Sequence, residues 1–91
     1  MEVMKMMEKK IVIQNETGIH ARPAGIIVKE AAKFKSAITI EKAGKEYNAK
    51  SIMSLMTMAA KKGEEIVIKA NGEDEAQAIE ALTNLILNGL E

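Results

Sequence analysis

IVIQNETGIHARPAGIIVKEAAKF, residues 11–34, changes its hydrophobic period halfway along. Ile11, Val12 and Ile13 form a short β-branched run, bounded by Lys10 and by the turn-like Asn15-Glu16-Thr17-Gly18, which predicts a strand. From Ala21 onward the apolar residues Ala24, Ile27, Val28, Ala31 and Phe34 recur at spacings of three and four. Lys29, Glu30 and Lys33 take the opposite face, so this half predicts an amphipathic helix. A strand therefore passes into a helix through a glycine-containing loop.

Further along, Ile38 and Ile40 alternate with Thr39 and Glu41, and Tyr47 and Ala49 with Glu46 and Asn48. Ala43-Gly44 between them predicts a hairpin. Ser51 offers a helix N-cap before Ile52, Met53, Leu55 and Met56, and Lys61-Lys62-Gly63 reads as that helix's stop. Ile66 to Lys69 predicts a fourth strand, closed by Asn71-Gly72. Asp74, with Gln77 three residues later and Glu73 and Glu75 beside it, predicts the cap of a last helix. Ala78, Ile79, Leu82, Leu85 and Ile86 supply its apolar face. The order is β-α-β-β-α-β-α, an α+β chain whose economical packing is two layers with the helices on one side of the sheet.

Ninety-one residues suit one small core. With aromatics at only 2%, that core must come from Ile, Leu, Val, Met and Ala. Cysteine is absent, which excludes disulfides and thiolate metal sites. Thirteen basic residues balance thirteen acidic ones, so a nucleic-acid surface of basic stripe and stacking rings is not expected. The segment 22–50 is nevertheless largely basic and the C-terminal part acidic, which suits an acidic protein partner on one face. Apolar runs fall far short of the ~20 residues of a membrane span. The Met-rich residues 1–7, interrupted by Glu2 and Lys5, do not read as a signal peptide. The expected location is the cytoplasm. Residues 1–7 are set apart as an N-terminal extension, a candidate disordered arm, and 8–91 as the domain.

The chemistry concentrates at Thr17-Gly18-Ile19-His20-Ala21-Arg22-Pro23-Ala24. Proline is tolerated in a helix's first turn, where amides have no intrahelical acceptor, so Pro23 places the helix start close to His20. The imidazole then sits beside free N–H groups at the positive end of the helix dipole, and Arg22 adds a guanidinium for phosphate oxygens. That end suits a neutral nucleophilic ring before reaction and a phosphoryl group after it. With no other His, no Cys and no Gly-rich nucleotide loop, the phosphoryl donor must be another protein. Taken alone, a single His at a helix N-terminus is more often a capping or surface residue, and spacing leaves this open. Metal binding is weaker still, since one His provides too few ligands.

Gly18-Ile19-His20-Ala21-Arg22-Pro23-Ala24 resembles the active-site signature of HPr, the phosphocarrier of the bacterial phosphoenolpyruvate-dependent sugar phosphotransferase system. Lys50-Ser51-Ile52-Met53-Ser54-Leu55-Met56 resembles the family's second signature, in register downstream. The resemblance covers about residues 8 to 90. It implies an open-faced sandwich, a four-stranded antiparallel sheet in order 1-4-2-3 covered by three helices. It implies that His20 is phosphorylated on Nδ1 by enzyme I and passes the phosphate to enzyme IIA components of sugar permeases. Arg22 would assist at the phosphate. Such a chain forms a phosphohistidine intermediate without being a stand-alone enzyme, and no cofactor or metal is implied.

Ser51 reads first as an N-cap worth on the order of 1 kcal/mol. In HPr of many Gram-positive bacteria the matching serine is phosphorylated by an HPr kinase/phosphorylase, creating a form that binds a catabolite-repression regulator. A phosphate at a helix N-terminus would act through surface charge rather than by unfolding. Ile52, Met53 and Met56, with Ile26 of the first helix, match the family's docking face, and Leu55 reads as core. Gly25 lies inside the first helix, and Ala59-Ala60 stands where the family usually has a Gly facing the active site. The alternative to a working carrier is a regulatory HPr paralogue whose main output is protein binding.

Overall fold

The computed structural model describes residues 7–90. Within them lie β1 (Met7–Val12), α1 (Ala21–Ala31), β2 (Ala37–Lys42), β3 (Lys45–Asn48), α2 (Ile52–Met58), β4 (Glu65–Asn71) and α3 (Glu75–Asn88). Most of the 1–7 extension thus lies outside the described residues, and Met7 opens β1. The strands pair antiparallel in the order β1-β4-β2-β3.

Register follows from the pleat, since a shift of one residue would turn every apolar side chain to solvent. Ile11 sits opposite Ile66, Ile40 opposite Ile68, and Ile38 opposite Ala70, all buried beneath the helices. The other face is polar: the Lys69 ammonium lies 2.7 Å from Glu41 and 2.9 Å from Glu46. Those two carboxylates hold Lys69 charged well above the usual lysine range. Ala43 and Gly44 both adopt positive φ (53° and 84°) in the tight β2–β3 turn, the sign that matches the right-handed twist of the strands.

Two local expectations are corrected. The second helix ends at Met58, before Lys61-Lys62-Gly63, because Ala59 turns left-handed (φ 51°) and its amide closes onto the Leu55 carbonyl. Lys42 then donates to the Met58 carbonyl at 2.8 Å, satisfying an orphan acceptor of the last turn from a neighbouring strand. Asp74 precedes α3 but makes no side-chain cap there. Its carboxylate instead accepts from the Lys35 amide (2.8 Å), the Ser36 amide (2.9 Å) and the Ser36 hydroxyl (2.5 Å). The loop after α1 is thereby fastened to the start of α3.

Candidate functional site

His20 is the N-cap residue of α1, with extended backbone (φ −129°, ψ −158°), and its carbonyl accepts the Ala24 amide at 2.8 Å. Its side chain makes no capping bond, which leaves the exposed imidazole available to a ligand. The next two amides, of Ala21 and Arg22, find no protein acceptor among the described residues, and Pro23 has no N–H to place. Pro23 and Ala24 are buried and seat the first turn on the core. The result is an exposed ring beside two unsatisfied donors at the positive end of an 11-residue helix. Arg22 is exposed and makes no ion pair within 4 Å among the described residues.

The loop that delivers His20 is held from two sides. The Asn15 side-chain amide donates to the Gly18 carbonyl at 2.6 Å, while the Gly18 amide returns to the Asn15 carbonyl at 3.1 Å. Gly18 has φ +67°, and a Cβ there would overlap the Ala60 carbonyl oxygen, so this position needs glycine for conformation and for space. Ile13 exchanges hydrogen bonds with Gly63 and Glu64, and the Ile19 amide donates to the Ala60 carbonyl at 2.7 Å. The loop before α1 and the loop after α2 are therefore braced together.

Two clefts flank the imidazole. One, of about 390 Å³, is lined by Thr17, His20, Arg22, Pro23 and Leu90. The other, of about 250 Å³, is lined by Thr17, Ile19, His20, Ala59, Ala60 and Lys61. Ala59 thus borders His20, as expected of the position where the family usually carries Gly. Lys61 was not singled out by sequence reasoning, because its nearness to His20 arises from a loop about 40 residues away in the chain.

Ser51 caps α2, its hydroxyl accepting the Ser54 amide at 3.2 Å. It starts a helix whose other end borders the His20 cleft, so it stands roughly 10 Å from that cleft along the helix rise. Lys50 anchors the approach by donating to the Phe34 carbonyl at 2.7 Å. On α2, Ile52, Met53 and Met56 are 46%, 77% and 41% exposed, while Leu55 is fully buried. Ile26 is half-buried on α1, which packs against α2. The structure thus gathers Arg22 at His20, and sets Ser51 and the exposed apolar residues along the second helix.

No helix among the described residues is long and apolar enough to cross a membrane. A profile described as the PTS HPr component phosphorylation site matches residues 7–88. The HPr-like protein Crh of Bacillus subtilis is 47% identical over 77 residues, 85% of this chain and 91% of that protein. HPr of Thermoanaerobacter tengcongensis shares 48% identity at a TM-score of 0.85, covering 88% of this chain and 90% of that one. The phosphocarrier protein HPr of Bacillus anthracis shares 42% at a TM-score of 0.86, covering 89% and 96%. With the sheet order, the helix-start histidine and these matches in agreement, the chain belongs to the HPr phosphocarrier family of the phosphotransferase system.

Proposed function

We propose that this protein accepts a phosphoryl group on His20 from phospho-enzyme I and donates it to enzyme IIA components of sugar permeases. One observation carries the reading: an exposed imidazole stands beside the unsatisfied Ala21 and Arg22 amides, with the Arg22 guanidinium on the same turn. A phosphoryl group on that ring adds negative charge where a helix end favours it. Arg22 holds its oxygens by charge-assisted hydrogen bonds. Ile26, Ile52, Met53 and Met56 form the docking face, whose adaptable methionines suit successive partners.

Ser51 is the regulatory site in this reading, with an HPr kinase/phosphorylase and a catabolite-control regulator as further partners. Its phosphate would sit at the start of α2, away from the His20 cleft, and would change the charge of the docking face.

The test supplies phosphoenolpyruvate and purified enzyme I and follows intact mass for the parent and His20→Ala. An acid-labile gain of one phosphate on the parent, absent in the variant, is expected. A second reading, a regulatory binding module, draws on the Crh relatives, since Crh of Bacillus subtilis is described as a catabolite repression HPr. No gain on the parent, with an enzyme I active on another HPr, would favour that module and make Ser51 the next residue to test.

A further inference from the structure

We propose that Lys61 is a second phosphoryl-contacting cation of the His20 site, acting from a cleft separate from the one that Arg22 lines; this rests on the carrier reading above. Each of the two clefts that His20 lines is bordered by one basic residue, Arg22 in one and Lys61 in the other. The backbone around Lys61 is fixed on both sides. Its amide donates to the Glu64 carboxylate at 2.7 Å, and the preceding Ala60 carbonyl accepts from Ile19, the residue before His20.

The ammonium itself is uncommitted. Lys61 is exposed and makes no ion pair within 4 Å among the described residues, feeling Glu64 only at longer range. Glu64 is already engaged by the Lys61 amide and by Lys42 at 3.4 Å. Lys62, next in the chain, differs: it is paired to Glu16 at 2.6 Å. Of these adjacent lysines, the one that lines the His20 cleft is the one without an ion pair.

Arg22 and Lys61 divide the work by chemistry. A guanidinium offers a rigid fork of donors, whereas an ammonium on a four-carbon stem is a mobile point charge. During transfer the donor's bond to phosphorus breaks as the bond from a His20 ring nitrogen forms. The breaking pair stays with the donor's leaving atom, the other His20 nitrogen keeps its proton, and the three phosphoryl oxygens pass across with their charge. Lys61 follows those oxygens from the open side while the α1 amides and Arg22 receive them.

The test uses full-length protein phosphorylated on His20 chemically with phosphoramidate, which needs no protein partner. In a ³¹P NMR titration, Lys61→Gln is expected to move the phosphoryl midpoint roughly half a pH unit upward, because a nearby cation favours the dianion. Lys62→Gln should leave it in place, and Lys61→Arg should restore it. With phospho-enzyme I as donor, Lys61→Gln is expected to lower kcat about tenfold while KM changes less than twofold. A ³¹P titration unchanged in Lys61→Gln overturns the proposal, as does a loss confined to KM. If enzyme I leaves the parent unmodified while the chemically made species titrates as expected, the carrier reading fails and the Lys61 contact stands.

Discussion

The Ile19 amide donates to the Ala60 carbonyl oxygen at 2.7 Å, across forty-one positions of sequence, and so ties the residue before His20 to the turn after α2. Gly18 lies against the same carbonyl. Gly18→Ala would force both a left-handed alanine and an overlap with backbone that cannot swing aside. A loss of about 2–4 kcal/mol is expected in urea denaturation. Phosphoryl transfer should slow as well, since the loop that aims His20 must shift.

Ala59 occupies a left-handed C-cap position, φ 51°, where glycine carries no Cβ penalty. Ala59→Gly should therefore raise stability by about 0.5–1 kcal/mol, seen as a higher denaturation midpoint at unchanged m-value.

Gly25 is the reverse case. It lies within α1 at negative φ, and a Cβ there meets nothing within 4 Å. Gly25→Ala should stabilise by roughly 0.5–1 kcal/mol, since glycine loses more backbone freedom in a helix than alanine does. A thermal melt of the purified variant reads this directly.

Ser51 accepts the Ser54 amide at the start of α2. Ser51→Ala should cost about 1 kcal/mol, whereas Ser51→Asp, which keeps an acceptor at the cap, should stay near the parent. Equilibrium unfolding of the two variants separates capping from any effect of charge on partner binding.

Asp74 provides the pH dependence. Hydrogen bonds from the Ser36 hydroxyl and the Lys35 and Ser36 amides hold its carboxyl down to about 2, from an ordinary 3.8. A carboxyl depressed in the folded state contributes fully above its unfolded value and loses that contribution as pH falls through the folded value. Stability should decline between about pH 4 and pH 2 for the parent, with a flatter profile for Asp74→Asn. Thermal melts across that range make the comparison.

What was readable in the sequence was local. The alternation of Ile38 and Ile40 and the three-four spacing from Ala24 to Ala31 announce their elements, because a side chain's face follows from backbone period alone. The Gly18–Ala24 signature pointed to His20 and Arg22 for a similar reason: a helix start and its anion-favouring end lie within a few residues. Ser51 as a cap was equally local.

Long-range contacts overrode local signals elsewhere. Asp74 carries the residue pattern of a cap, yet it bonds Lys35 and Ser36, because the packed loop after α1 offers three donors at once. The second helix stops at Met58 rather than at its lysines, because Lys42 from a neighbouring strand satisfies its end and Ala60 is claimed by Ile19.

The sequence by itself therefore determined the order of elements and the placing of His20 and Arg22 at a helix start, since periodicity and helix-end signals act over one or two turns. Only the tertiary structure decided that Lys61 borders His20, and that the Asp74 carboxylate is claimed by Ser36 rather than by its own helix. Those outcomes depend on which surfaces meet when the helices close over the sheet, and no short window of sequence contains both sides of such a contact.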